Sequence, residues 1–193
     1  GVMPQLSVIL GPTAGGAVYS PALTDCVFMV KGSGQSFITG PNIVKEVMWE
    51  EVSSEDLGGA HVNAIKSGNA HFMTDGEEEC FQLVRKFLSF IPQNWKERPD
   101  IVDSGDKPQR MDEELAHLVP ANPSKAYDIR KIVKRVVDNG DFLEVQEKFA
   151  RNVVVGLARM GGRSTGIIAN QPMHLAGVLN IDASDKVARF VRF

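Results

Sequence analysis

Gly15 and Gly16 are the residues of this 193-residue sequence whose type and spacing come nearest to chemistry. They follow a short apolar run, Leu6-Ser-Val-Ile-Leu10, which is closed by Gly11-Pro12 and reads as a buried strand. After them Ala17 to Leu23 is small and mostly apolar, which predicts a short helix with Gly15-Gly16-Ala17 as its first turn. The first N–H groups of a helix have no partner inside it, and the positive end of the helix dipole lies behind them. Two glycines at that point keep side chains out of the approach. The pattern suits a main-chain site for an oxygen carrying negative charge, and its best use is an oxyanion hole. The same spacing is open to blander readings, a plain strand-to-helix packing turn or a phosphate loop. Gly11 and Gly16 have the G-x-x-x-x-G spacing, but Ala17-Val18 stands where a phosphate loop needs Lys and Ser or Thr, and there is no G-x-G-x-x-G.

Side chains offer less. His61, His71, His117 and His174 lie in unrelated local contexts, with no metal-ligand spacing and no Ser-His-Asp or Cys-His arrangement. Main-chain donors without a side-chain nucleophile suit a reaction limited by enolate stabilisation, because the enolate oxygen gains charge as the α-proton leaves.

The elements that must hold the glycines read as βα units. Cys26 to Val30 predicts a buried strand, Lys31 to Gln35 a turn and Ser36 to Thr39 a short strand. Gly40-Pro41 opens a helix, with Pro41 at its first position, running through Val44 and Val47. Ser53 to Leu57 predicts a capped helical turn closed by Gly58-Gly59, and Ala60 to Phe72 an irregular polar stretch. Asp75 is placed as the cap of a helix with Glu77, Glu78 and Glu79 in its first turn. Its apolar stripe is Cys80, Leu83, Val84, Phe87, Leu88 and Ile91, and Pro92 ends it.

Residues 93–112, rich in charge and proline (Pro99, Pro108), predict a linker. Asp128 then caps Ile129 to Val137. Ile129, Ile132, Val133, Val136 and Val137 share one face of that helix, and Arg130, Lys131, Lys134 and Arg135 the other; Asn139-Gly140 ends it. Those cations read as a solvated face, with coenzyme A phosphates as the sharper alternative. Phe142 to Val145 predicts an edge strand. Asn152 to Ala158 and Ser164 to Ala169 predict a hairpin through Met160-Gly-Gly-Arg163, and Ser184 is placed as the cap of a final helix. Repeated strand-strand-helix order favours an α/β spiral over a sandwich.

With 43% hydrophobic and 23% charged residues the composition is that of a globular protein, and a net charge of −3 argues against a nucleic-acid binder. No run approaches the ~18 apolar residues of a membrane span. Cys26 and Cys80 sit among apolar neighbours and read as reduced core thiols.

At Gly11-Pro-Thr-Ala-Gly-Gly-Ala-Val-Tyr-Ser-Pro-Ala-Leu-Thr-Asp25 the sequence resembles the carboxyltransferase β subunits of biotin-dependent acyl-CoA carboxylases, of the propionyl-CoA carboxylase type. Phe37-Ile-Thr-Gly-Pro41, Leu57-Gly-Gly-Ala60, Ser67-Gly68 with His71, Ile168-Ala-Asn-Gln-Pro172 and Asp185-Lys-Val-Ala-Arg-Phe-Val-Arg192 fit the same family in the same order. The resemblance implies an α/β, crotonase-like (ClpP/crotonase) spiral of ββα units, with parts of two such domains. Residues 1–98 would be the later part of an acyl-CoA domain, 99–111 a linker and 112–193 the start of a biotin-side domain, the whole being an internal segment of a longer chain.

The resemblance also implies that the Gly15 and Gly16 amides hold the acyl-CoA enolate, with Thr13, Ala14, Ala17, Phe37, Ile38, Thr39 and Gly40 lining the pocket. The carboxyl donor would be biotin, carboxylated on a partner carrier domain; no metal is implied here, and a biotin-side hole would lie beyond Phe193. Biotin carboxylase and carrier subunits would be partners, in a dimer-based oligomer such as a hexamer whose active site joins the first domain of one subunit to the second domain of another. The location would be the cytoplasm or the mitochondrial matrix.

Three positions depart from the family pattern: Asn63 where many members have histidine, Trp49 where a small or turn residue is usual, and Thr13 in place of Cys or Ser. Other readings are a methylmalonyl-CoA decarboxylase or transcarboxylase subunit, a biotin-independent hydratase or hydrolase using an acid such as Glu50 or Glu51, and a non-catalytic assembly fragment.

Overall fold

The computed structural model describes residues 2–107, 109–122 and 124–193. Gly1, Pro123 and Pro108, the last of which helps mark the expected linker, lie outside the described residues. Contacts divide the chain into two units, residues 3–86 and residues 87–193 with Val2.

The first unit is built on a parallel sheet. Its elements are β1 (Leu6–Ile9), β2 (Pro12–Ala14), α1 (Tyr19–Leu23), β3 (Cys26–Val30), β4 (Gln35–Phe37), α2 (Pro41–Met48), α3 (Ser54–Gly58), α4 (Ala60–Ile65), β5 (Phe72–Thr74) and the start of α5 (Glu77–Leu88). The sheet order is β1-β3-β5, and β3 is buried at every residue, as a central parallel strand with both faces covered must be. Phe28 and Phe72, paired in register, stack with ring centroids 4.8 Å apart. A second parallel pair, β2-β4, carries the candidate site.

The structure corrects several expectations. β1 stops at Ile9, before Pro12, and Pro12 opens a separate strand, β2, not expected from the sequence; proline is tolerated at the first residue of a strand because its missing N–H breaks no interior ladder bond. Residues 60–65 form α4 in place of an irregular stretch, burying Ala60, Asn63 and Ala64. Its inward face is small and partly polar, so it has little apolar contrast to read. Asp75 pairs with Lys31, and its N–H is bonded by Glu79 at 2.8 Å, ahead of a helix that begins at Glu77.

Pro41 begins α2, as its fixed φ favours, and Ser53 caps α3 through Asp56 N–H at 3.0 Å. Trp49 ends α2 in the left-handed region, with φ 59°, and is 89% exposed. Trp49→Gly is expected to raise stability by about 1 kcal/mol, since glycine adopts that conformation without strain. Thermal unfolding of the two proteins side by side checks this, and a lower midpoint for the glycine variant contradicts it.

The second unit contains α6 (Leu115–Leu118), α7 (Ile129–Val136), β6 (Phe142–Val145), β7 (Val153–Met160), β8 (Arg163–Asn170) and α8 (Ile181–Arg192). Its sheet is antiparallel in the order β6-β7-β8, with β7 buried along six residues and β8 alternating toward solvent. Val133 and Val137 pack on Ala158 with Ile129, Phe142, Ile167 and Ala169 around them. Val136, expected on that face, is half exposed instead.

Gly161 (φ 58°) and Gly162 (φ 75°) make the two-residue turn between β7 and β8, a conformation that glycines enter freely. Asp138 holds this turn, accepting N–H bonds from Gly161 (2.9 Å) and Gly162 (2.7 Å) and the Ser104 hydroxyl (2.9 Å). Burial pushes the Asp138 carboxyl up, but those donors and the Arg110 charge outweigh it and hold it below the usual carboxylate range. The described residues of 93–112 carry no helix or strand, yet they are tied down: Val102 N–H bonds Gly162 O at 3.0 Å and Arg110 bonds Val137 O at 3.1 Å. The last helix is capped by Asn180, which accepts from Ala183 N–H at 3.0 Å, and not by Ser184, whose hydroxyl donates back to Asn180 O. Among the described residues no helix is long and apolar enough to cross a membrane.

Candidate active site

A change of backbone hand shapes the glycine turn. Ala14, at the end of β2, is extended (φ −136°, ψ 158°), and Gly15 has φ 62°, where side chains are strained. The chain then winds through a 3-10 turn, Gly15–Val18, into α1, with Tyr19 N–H bonded to Gly16 O. A turn of this kind leaves its first donors without an internal acceptor. Among the described residues neither the Gly15 nor the Gly16 N–H makes a hydrogen bond of normal geometry. Gly15 follows directly on the β2–β4 ladder, whose last register pair is Ala14–Phe37, so Gly16 is the donor clear of the sheet.

Among the described residues, and apart from the chain immediately around each glycine, no heavy atom lies within 4 Å of where a Cβ would stand on Gly15 or Gly16, so the approach is open. The helix behind is only five residues long, so the local N–H groups, and not an extended dipole, would supply the attraction.

The register brings several of the expected pocket residues together. Thr13 pairs with Ser36 and Ala14 with Phe37, so the two strand ends lie side by side next to Gly15. Ala17, Ile38 and Thr39 are exposed, and Gly40 sits at the start of α2, where its carbonyl accepts the Ile43 (3.1 Å) and Val44 (3.2 Å) N–H groups.

The other sequence candidates have structural partners or lie in solvent. His71 Nδ1 accepts the Val27 N–H at 3.1 Å, which ties it to β3, and His61 is exposed. Glu50 and Glu51 are exposed, and Glu51 is paired with Lys45, so neither is held as a buried acid. Among the described residues no group of three or more His, Cys, Asp or Glu could hold a metal ion. Cys26 and Cys80 are buried and unlinked.

The cationic face of α7 is half engaged. Arg130 forks onto Glu144 (Nε–Oε2 2.6 Å, Nη2–Oε1 2.7 Å) and Arg135 binds Asp112 at 2.8 Å and Glu114, while Lys131 and Lys134 are exposed.

Three buried polar residues were not singled out as ties by the sequence reading. Gln171, 0% exposed, donates to Asp128 Oδ1 at 2.6 Å and accepts the Ile129 N–H, fastening the start of α7. Lys186, 1% exposed, donates to the carbonyls of Gln146, Phe149 and Val153. Asn63 joins three carbonyls around β4.

The carboxyl transferase domain matches residues 1–193 of this sequence. The chain belongs to the carboxyl transferase family. This carboxyl transferase segment is 52% identical over 193 residues to methylmalonyl-CoA decarboxylase subunit alpha of Veillonella parvula, covering 100% of the chain and 38% of that relative. It is also 52% identical over 193 residues to the propionyl-CoA carboxylase carboxyltransferase subunit of Haloferax mediterranei, covering 100% and 37%.

Among solved structures, the transcarboxylase 12S hexamer with hydrolysed methylmalonyl-CoA bound superposes with a TM-score of 0.95 at 45% identity, over 98% of this chain and 37% of that one. A single-chain, multi-domain long-chain acyl-CoA carboxylase gives a TM-score of 0.78 at 25% identity, over 97% and 18%. The α/β crotonase-like fold expected of the carboxyl transferase family is therefore the fold of this chain. The chain spans little more than a third of the length of the curated relatives it matches.

Proposed function

We propose that this chain is the part of a carboxyl transferase that stabilises an acyl-CoA enolate while a carboxyl group passes to it from biotin, propionyl-CoA being the favoured acceptor. The observation that carries the reading is the open turn at Gly15-Gly16, where among the described residues the Gly16 N–H, clear of the β2–β4 ladder, has no acceptor and lies beside a clear approach. A thioester oxygen seated there would be held by fixed donors as its charge grows, with no reorganisation at that moment. Thr13, Ala14 and Ala17 on one strand end, and Phe37, Ile38, Thr39 and Gly40 on the other, would flank the acyl group.

Biotin, when bound, supplies the carboxyl group. The second glycine turn, Gly161-Gly162, has both N–H groups on Asp138 and so does not fit a second anion, and the biotin side is assigned to no residue of this chain. Residues 1–98 would belong to the acyl-CoA domain and 112–193 to the biotin-side domain. A biotin carrier and biotin carboxylase would be the partners, a dimer-based hexamer the assembly and the cytoplasm the location, in keeping with relatives from a bacterium and an archaeon.

Transfer in the opposite sense is the second reading, because the Veillonella relative, equally similar, is a methylmalonyl-CoA decarboxylase subunit. The test is carboxyl exchange by the full-length parent with its biotinylated carrier. Labelled carboxyl should move between carrier and propionyl-CoA, and avidin should stop it. Turnover of acyl-CoA that avidin leaves untouched would favour a biotin-independent crotonase-type reaction and sink the proposal.

A further inference from the structure

We propose that Asn63 is a positioning residue for the Gly15-Gly16 site, acting through β4; this rests on the reading of that site given above. Asn63 is 6% exposed on α4, and its Nδ2 donates to the carbonyls of Ser36 (3.3 Å), Gly58 (2.9 Å) and Gly59 (3.2 Å). One amide group thus ties the α3–α4 junction to β4. The junction leaves β4 little room to move by itself. A Cβ on Gly58 would lie 2.3 Å from Ser36 O, and Gln35 and Gly59 form a bridge. Asn63 is in turn held in place, since its carbonyl accepts Ala70 N–H at 3.1 Å and Ser67 Oγ lies 3.4 Å from its Oδ1.

The tie reaches the site through the strand register. Ser36 pairs with Thr13 and Phe37 with Ala14, the residue directly before Gly15. The β2–β4 ladder is three residues long, so it has few bonds of its own with which to resist a shift of β4. Without the Asn63 donor, the buried carbonyls of Gly58 and Gly59 and the part-buried one of Ser36 lose a partner, and β4 keeps only the Gln35–Gly59 bridge and its contact with Gly58 on the junction, so that a small shift of β4 carries Ala14 and Gly15 with it. A displacement of about 1 Å at a reacting centre is enough to lower a rate about 100-fold while leaving the remote binding of coenzyme A intact.

The test measures kcat and KM for propionyl-CoA in carboxyl transfer by the full-length parent with its carrier. Asn63→Asp keeps the shape and replaces the donor by an oxygen facing three carbonyls. It is expected to lower kcat about 10- to 100-fold at pH 8, with KM within about twofold. A carboxyl crowded by carbonyl oxygens holds its proton more tightly, so as the pH falls toward 6 it regains an O–H donor and the deficit in kcat narrows relative to the unaltered protein. Asn63→Ala, which removes the donor without repulsion, carries the test if the aspartate variant does not fold, and is expected to lower kcat alone. Unchanged kcat in either folded variant, or a loss confined to KM, overturns the proposal by itself. Absence of transfer by the unaltered protein overturns the reading of the site, and the proposal with it.

Discussion

Gly16→Val is expected to lower carboxyl transfer to propionyl-CoA by about 100- to 1,000-fold, as much as the loss of one oxyanion donor, because its side chain holds the thioester oxygen away from the N–H that remains, while the protein keeps its fold. The two halves of this result come from one observation. Apart from the chain immediately around it, no heavy atom among the described residues lies within 4 Å of the position a Cβ would take on Gly16, so a side chain there meets nothing that packing requires. Nor does the backbone object, because the left-handed φ of the turn belongs to Gly15 and not to Gly16.

If Gly16 were only a packing glycine, Gly16→Ala would be harmless, or would stabilise the turn by about 0.5–1 kcal/mol through lost freedom in the unfolded chain. As an oxyanion donor, the same residue tolerates alanine in the fold and loses activity as the side chain enters the space of the thioester oxygen. Steady-state kinetics beside thermal unfolding separates the two. Wild-type kcat/KM in a folded Gly16→Val protein would remove the chemical role and leave a packing turn. Gly15→Ala is a poorer test, because φ 62° adds strain to whatever chemistry is lost.

Lys186→Met lowers stability by about 2–4 kcal/mol, because three buried carbonyls lose their shared donor. In the native protein the ammonium is saturated, with Gln146 O and Phe149 O at 2.8 Å and Val153 O at 3.0 Å. Gln146 and Phe149 lie in the turn between β6 and β7 and Val153 begins β7; Gln146 (φ 52°) and Ala150 (φ 43°) bend the chain into the shape that presents the three carbonyls. Lys186 thus fastens α8 to the sheet.

Burial pushes its pKa down to about 8, against an ordinary value of 10.5, despite the nearby Glu144 and Glu147 charges. Between those two values the unfolded chain binds the proton and the folded chain releases it, so stability rises with pH across that window and is flat below about pH 8. The advantage of the native protein over the methionine variant should therefore widen from pH 8 to 10. Denaturant midpoints of both proteins at pH 7, 8, 9 and 10 check this. A gap that narrows over the window would show the ammonium to be favoured by its cage and not disfavoured by burial.

Local chemistry carried much of this protein in plain view. The uniform apolar run Cys26 to Val30 announced a strand covered on both faces, and Gly161-Gly162 between two β-branched runs announced a tight hairpin. Pro41 and Ser53 marked helix starts because proline's φ and serine's hydroxyl act within a few residues. The turn at Gly15-Gly16 was legible for the same reason, a left-handed glycine and the small residues after it being enough to end a strand and start a helical turn.

What escaped depends on partners distant along the chain. The inward face of α4, small and amide-bearing, became a helix face only against β4, 27 residues before Asn63. Lys186 occupies an inward position of α8 three residues after Ala183, where the amphipathic pattern asks for an apolar residue, and only the carbonyls of 146–153 explain a charge there. Gln171 was visible as part of a motif, but its grip on Asp128 spans 43 residues. The sequence alone determined where the chain turns, which strands are covered and which main-chain donors begin a helix, because these follow from backbone conformation and hydrophobic contrast over a few residues. Tertiary structure decided which buried polar groups hold those pieces in register, because a donor inside a protein is satisfied by whatever carbonyl folding brings to it.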